Sequence, residues 1–277
     1  MGRKTGETLI FLSLGVPAAI CIAAFLFIVG TLLTGIGTIN LALLTTSALK
    51  GGYFEMIVGT ILLFIGAAGI AGPVGLFAAI YLVEYARPGR LTTVIDQAIN
   101  NLAGVPSIVI GLFGYTFFCR QLGLGISLVA GWLTLALMML PIVIRGSEEA
   151  IKMVPGAFKE AALALGATKW RAVSSTSVSA AAPGILTSVM LGIARVAGET
   201  AAIISVSCVL IARGLPTSIF DPVMALAYNL YVRIVALGEP AQEVFGIALI
   251  LLSIVVIFAI FAIALRTYYR RKQPWLR

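Results

Sequence analysis

Six apolar stretches divide the chain, each long enough, or nearly so, to cross a bilayer as a helix. Residues 9–33, 56–83, 102–118, 121–144 and 244–265 contain no Asp, Glu, Lys or Arg, and residues 180–211 match them except for Arg195 and Glu199. A helix needs about 20 mostly apolar residues to cover about 30 Å of hydrocarbon. The pattern predicts six spans, of which 102–118 is the shortest. Arg3 and Lys4 precede the first stretch, as they would in a secretory leader. Its apolar run is longer than the roughly 7–15 residues of a leader, so it reads as a retained helix.

The segments between the spans carry patterns of their own. A break at Ala86-Arg87-Pro88-Gly89-Arg90 is followed by Leu91, Val94, Ile95, Ala98, Ile99 and Leu102, one face of a helix, with Thr92, Thr93, Asp96, Gln97 and Asn100 opposite. Such an amphipathic helix is expected to lie in the cytoplasmic interface and to orient the spans on either side. The second span carries Gly66, Gly69, Gly72 and Gly75 with Pro73 among them. Small residues at this spacing suit close helix packing or a flexible pore-lining helix, and periodicity does not separate the two.

Residues 145–179 form the longest polar connection. Glu148 and Glu149 read as the opening of a short helix that Val154-Pro155-Gly156 stops. A second helix starts near Phe158, with Phe158, Ala161, Ala162 and Leu165 in one compact apolar stripe. Gly166 is placed to cap its C-terminus, and Thr168 to start a further helix before Trp170. The stripe is shaped for a groove on a partner, or for folding back on its own bundle.

Composition excludes an ordinary soluble protein: 60% of the 277 residues are hydrophobic and 11% charged, with a mean hydropathy of +1.09. The absence of histidine removes His-based metal sites, Ser-His triads and Cys-His dyads. Cys21, Cys119 and Cys208 lie far apart in or beside apolar runs and read as small fillers, not as a disulfide or zinc framework. With both termini cytoplasmic, 14 of the 19 Lys and Arg residues fall inside, while Lys50, Arg120, Arg213 and Arg233 fall outside. The positive-inside rule then gives an N-in, C-in chain. That sorting explains the net charge of +8 without a nucleic acid, and Arg270-Arg271-Lys272 reads as a headgroup anchor.

Glu160-Ala161-Ala162-x-x-x-Gly166, placed between the fourth and fifth spans, resembles the EAA loop of ABC importer permeases. Further matches point to the phosphate importer permeases, most like the PstA type. They include Gly51-Gly52 with Gly59-Thr60, and Pro73-Val74-Gly75 leading to Ala79-Ile80-Tyr81-Leu82-Val83-Glu84-Tyr85. They continue with Gly104-Val105-Pro106-Ser107-Ile108-Val109-x-Gly111-Leu112-Phe113-Gly114, Gly166-Ala167-Thr168-Lys169-Trp170 and Ala194-Arg195-x-x-Gly198-Glu199-Thr200-Ala201.

This resemblance implies an all-α, six-span type I ABC importer permease of MetI-like fold in the cytoplasmic (inner) membrane, with its transmembrane core over 54–266. It implies a coupling helix, Phe158, Glu160, Ala161, Ala162, Leu165 and Gly166, that docks on the ATPase, and a pathway role for Arg195, Glu199 and Thr200. It also implies a second permease of the PstC type, two ATPase subunits carrying ATP and Mg, and an extracellular phosphate-binding protein, with no cofactor on this chain. Asp221, Glu239 and Glu243 in the second outer loop read as contacts for that protein or as a solvated face.

Two positions depart from the family pattern. Val178-Ser179 replaces a Leu-Pro pair at the loop's exit, leaving only Pro183-Gly184. Ala202 replaces a proline, which predicts an unkinked fifth helix.

The pair Arg195 and Glu199 stands apart from any resemblance. Counted along 180–211, both fall near mid-span, where a charge costs about 2.5–3.5 kcal/mol on insertion scales. Arg four residues before Glu is the weaker order for a helical pair, so helix stability is a poor reason for both. They are either a mutual pair that fixes packing or part of a polar pathway. An arginine fork suits phosphate because paired donors meet two oxygens and the charge persists at any working pH. Glutamate would orient that fork, or accept the proton of a hydrogen phosphate, which sulfate lacks.

Other classes fit less well. No nucleophile-and-base pair for an intramembrane hydrolase is present, and no GxxxxGK[ST] loop, so the chain is not itself the ATPase. A sulfate or molybdate permease, or a non-transporting assembly subunit, shares the spans but not the reason for Arg195.

Overall fold

Helices account for most of the chain because hydrocarbon leaves backbone polar groups no water to bond. The computed structural model describes residues 2–38, 41–212, 214–239 and 241–271. Arg213, Lys272 and Arg277 from the charge count lie outside the described residues, as do the side chains of Arg3, Lys4, Glu243, Arg270 and Arg271.

The order is α1 (Gly2–Leu33), α2 (Leu41–Thr45), α3 (Phe54–Ile80), α4 (Arg90–Gly104), α5 (Ser107–Gly114) and α6 (Leu128–Lys152). Then come α7 (Gly156–Ala164), α8 (Lys169–Ala172), α9 (Ser179–Val196), α10 (Leu226–Val235) and α11 (Ala241–Arg271). Wider π-helical turns extend three of them: Tyr81–Tyr85 after α3, Tyr115–Gln121 after α5, and Val173–Val178 joining α8 to α9. Among the described residues, five helices are long and apolar enough to cross a membrane, or six if the bent pair α4 and α5 is one span.

That pair bends by 104°. Val105-Pro106 supplies the corner: the proline locks its own φ and pushes the residue before it out of the helical region. The third membrane stretch therefore starts at Ser107, not at Leu102, and α4 lies across its end as the amphipathic pattern requires. Asp96 and Asn100 of α4 accept hydrogen bonds from Arg145 at 2.9 and 3.1 Å, while Leu91 and Val94 are exposed.

The fourth span also differs from the pattern of hydropathy. Residues 122–127 are turn, with Gly123 and Gly125 at positive φ, and α6 begins only at Leu128, where the Ser127 hydroxyl caps the Ala130 N–H. The helix then continues past Ile144 to Lys152. Glu148 and Glu149 open no new helix. Glu148 accepts from Arg145 at 2.7 Å and from Lys152 at 2.8 Å, i,i+3 and i,i+4 contacts that carry the polar end of α6 onward.

α6 is the central element, packed between α3 and α9, with α11 against α9 and α10. Its Leu135, Met139 and Val143 share one buried core with Phe64, Ile193 and Ile247. Small residues bring the helices together. A Cβ on Gly146 or Gly184 would collide with Ser188 or Ala150. The Ser147 and Ser188 hydroxyls bond across the α6–α9 contact at 3.1 Å. Phe258 of α11 meets Phe64 edge-on at 4.8 Å. Cys119 and Cys208 are buried fillers, whereas Cys21 faces outward from α1.

The glycine ladder of the second span divides by what it faces. A Cβ on Gly66 would collide with the Trp132 ring, which donates to the Leu62 carbonyl at 2.8 Å, and one on Gly75 would press on Val143. Gly69 meets nothing, and Gly72 only Val189 at 3.8 Å. Two of the four serve packing, so Gly66→Ala is expected to destabilise the purified protein by about 1–3 kcal/mol. Gly69→Ala is expected to be neutral or stabilising by up to about 1 kcal/mol. Thermal unfolding in detergent distinguishes them; equal shifts would contradict the division.

Candidate functional site

The fifth span departs most from expectation. Its helix is continuous from Lys169 to Val196 and then stops. The missing proline at Ala202 did not leave it straight. Gly198 is a weak helix former, and the backbone beyond it finds other partners. Residues 197–207 fold as a run of tight turns, with Glu199 N donating to Val196 O at 3.1 Å and Ile204 N to Thr200 O at 3.1 Å. Val209 N and Val223 N then pair with Val223 O and Ser207 O at 2.9 Å, and Ser127 N donates to Val206 O at 3.0 Å.

Three glycines let this irregular backbone enter the bundle. A Cβ on Gly111 would lie 2.8 Å from Ala202 Cα, and one on Gly131 2.7 Å from Ser207 Cβ. One on Gly59 would collide with the Met224 carbonyl. Next to it, the Thr60 hydroxyl accepts from Leu226 N at 2.9 Å. The family-like pairs Gly59-Thr60 and Gly111-Leu112 thus have a concrete task.

Arg195 and Glu199 flank the break. Arg195 Nη1 donates to Glu199 Oε2 at 3.0 Å, with side-chain exposures of 51% and 8%. The carboxylate sits inside the bundle, while the guanidinium reaches an open face beside exposed Leu191, Ala194 and Gly198. Among the described residues Glu199 is the guanidinium's one hydrogen-bond partner, so its other N–H groups remain available. Val196 shares a cavity of about 10 Å³ with Glu199, Thr60, Leu63, Phe64 and Leu135, room for about one water. Those neighbours belong to the apolar runs of α3 and α6, so the break falls within the depth of the bundle. Thr200, half-buried, begins the first turn beyond it.

The second candidate surface is the polar loop. α7 closes as the stripe predicts: Gly166 adopts φ +83°, Gly166 N donates to Leu163 O at 2.9 Å and Ala167 N to Ala162 O at 3.1 Å. This paired closure satisfies carbonyls that would otherwise be orphaned. The Thr168 hydroxyl then caps Arg171 N at 3.3 Å. α7 packs on α8 and on Val173–Val178, yet its stripe is not covered. Phe158 is 42% exposed and Leu165 90%, with Glu160 and Ala161 also exposed and Ala162 half-buried. Met153 and Trp170 extend the exposed apolar patch. Sequence periodicity missed Met153 because it follows the end of α6.

A third region, absent from the sequence reading, is a cavity of about 200 Å³ lined by Met56, Met224, Asn229, Arg233 and Glu239 among others. Arg233 pairs with Glu239 at 3.3 Å, and among the described residues the buried Asn229 Oδ1 finds no partner. Asp221 is committed to its own loop. It accepts from the Thr217 hydroxyl at 2.8 Å and from Thr217 N and Ser218 N at 2.9 Å, bonds that hold its carboxyl below the ordinary value.

The sequence profile of binding-protein-dependent transport system inner membrane components matches residues 71–273. The chain is 42% identical over 182 residues to the phosphate transport system permease protein PstA of Yersinia pestis, covering 64% of this chain and 61% of that one. It is 37% identical over 224 residues to PstA of Mycobacterium leprae (strain TN), covering 80% and 73%. It spans 50% of the length of PstA 1 of Mycobacterium tuberculosis (strain ATCC 25618 / H37Rv), so against several such relatives it matches about half.

Among solved structures, the MetNI methionine ABC transporter in an inward-facing conformation superposes with a TM-score of 0.63 at 19% identity, over 78% of this chain and 96% of that one. An amino acid ABC transporter gives 0.55 at 23%, over 78% and 92%. The fold is therefore the MetI-like one of ABC importer permeases, and the chain belongs to the family of binding-protein-dependent transport system inner membrane components, among its PstA-type members.

Proposed function

We propose that this chain is a permease subunit of an ATP-driven importer that carries inorganic phosphate across the cytoplasmic (inner) membrane. The bent pair α4 and α5 counts as one of six spans, and both termini are cytoplasmic. A second permease of the PstC type faces it, two ATPase subunits bind beneath, and an extracellular phosphate-binding protein delivers the anion. ATP and Mg belong to the ATPases; this chain holds no cofactor and catalyses nothing itself.

One observation carries the reading: a half-exposed guanidinium inside an apolar bundle, backed by a buried carboxylate at a helix break. Arg195 offers its remaining donors to two phosphate oxygens, and Glu199 holds the fork in place. Thr200, at the start of the first turn past the break, adds a hydroxyl on the same path. A single modest site suits a relay, since tight binding at mid-membrane would slow release. The names of the relatives in Yersinia and Mycobacterium support phosphate over sulfate or molybdate as the cargo.

The exposed stripe of α7, Phe158, Glu160, Ala161, Ala162, Leu165 and Gly166, is the docking face for the ATPase. ATP closure displaces α7, and the paired bundles exchange inward and outward states, a shift driven by differential contacts.

ATP-driven uptake of labelled phosphate and sulfate into vesicles tests the pathway. Arg195→Ala, once shown to assemble, is expected to lose phosphate flux by about tenfold or more, the equivalent of about 1.4 kcal/mol. Undiminished flux would remove the assignment, and no flux in the native transporter would favour a non-transporting assembly role. Glu199→Gln is expected to carry the two anions comparably, because the acceptor for the hydrogen phosphate proton is gone. An unchanged preference for phosphate would end that account. Leu165→Asp is expected to weaken ATPase association about tenfold, or about 1.4 kcal/mol, with no change in the unfolding temperature of the permease. Unaltered association would contradict the docking face.

A further inference from the structure

The second span ends in the π-helical turns Tyr81–Tyr85, and Glu84 within them is buried, its side chain 5% exposed. Its carboxylate accepts from Lys159 Nζ at 2.7 Å. Lys159 stands on α7, immediately before Glu160-Ala161-Ala162. A second lysine reaches the same turns: Lys169, at the start of α8, lies with its ammonium 4.3 Å from the centre of the Tyr85 ring. Helices on both sides of the Gly166 turn thus each place a cation on one five-residue stretch.

Resting on the coupling role proposed for α7, we propose that the Lys159–Glu84 pair is the direct link that carries ATPase-driven displacement of α7 into the second span. α7 is tied to the fourth and fifth spans by the chain itself. It has no covalent tie to the second, so this pair supplies the connection. A buried carboxylate deprived of its cation is strongly disfavoured, so Glu84 follows Lys159 when α7 moves. The π-helical turns give that movement somewhere to go, because wider turns are an irregular part of a helix and tend to mark functional sites. The Arg145 cluster with Asp96 and Glu148 does not compete for this role, since it joins α4 to α6 and leaves α7 out. Lys159 and Glu84 are positioning residues: neither is placed on the docking stripe or beside Arg195.

The test uses the complete transporter reconstituted in vesicles, with phosphate uptake and ATP hydrolysis measured together and normalised to assembled complex. Lys159→Glu, and the milder Lys159→Gln and Glu84→Gln, are expected to lower phosphate moved per ATP by about fivefold or more, with ATP hydrolysis retained. The exchange Lys159→Glu with Glu84→Lys is expected to recover most of that ratio. An unchanged ratio in the glutamine variants, or no recovery in an assembled exchange variant, would overturn the link. A native transporter that hydrolyses ATP but takes up no phosphate would instead sink the permease reading, so the two failures are told apart.

Discussion

Inside hydrocarbon a backbone that leaves the helix must find every hydrogen bond within protein. Residues 197–209 meet much of this demand through backbone partners, and neighbouring helices make room for them. Their N–H groups turn back to Val196, Thr200 and Ile203 or pair across to Val223. Two partner helices give up side chains at Gly111 and Gly131 to let that backbone in, and Gly59 makes room for Met224 beside the segment that pairs with it. The cost is a fifth helix cut short at Val196. The consequence is that Arg195 lies at a helix end instead of mid-helix, free to lean out while Glu199 turns in.

Charge is handled differently at the two depths of the molecule. Toward the polar loop, buried carboxylates are held by cations: Glu148 by Arg145 and Lys152 within α6, and Glu84 by Lys159 of α7. Arg145 also pairs with Asp96, so these contacts fasten α4 to α6, and α7 to the end of the second span. At the break, Glu199 is equally buried but its cation remains half open. Lys152 is as open as Arg195, at 50% against 51%, so what sets the pair at the break apart is its depth in the bundle and the single partner of its cation among the described residues.

Most of the apolar stretches, the Gly166 closure and the Thr168 cap were legible in the sequence because each is a local matter of hydropathy, φ or a short side chain, whereas the corner at Val105-Pro106 lay hidden inside the apolar run 102–118. The stripe Phe158, Ala161, Ala162 and Leu165 was legible for the same reason, although whether it faces its own bundle was not. Two readings failed on tertiary grounds. Glu148 and Glu149 look like the start of a loop helix, but Arg145 and Lys152 pair with Glu148 and keep α6 running. The break at Ala197-Gly198 has no proline to announce it, and the glycines that admit the backbone beyond it, Gly111 and Gly131, are distant in sequence. The resemblance implied a pathway role for Arg195, Glu199 and Thr200, and Ala202 an unkinked helix beneath them; the structure ends that helix at Val196.

The central claim is that position 195 lies on a water-filled anion path. The most direct measurement replaces Cys21, Cys119 and Cys208 with Ala, introduces Arg195→Cys, and follows modification by a charged, membrane-impermeant thiol reagent during ATP turnover in the assembled transporter. The account predicts reaction from the aqueous phase and slowing by excess phosphate. Modification only by a lipid-soluble maleimide, unaffected by phosphate, would place the residue in the bilayer and contradict it.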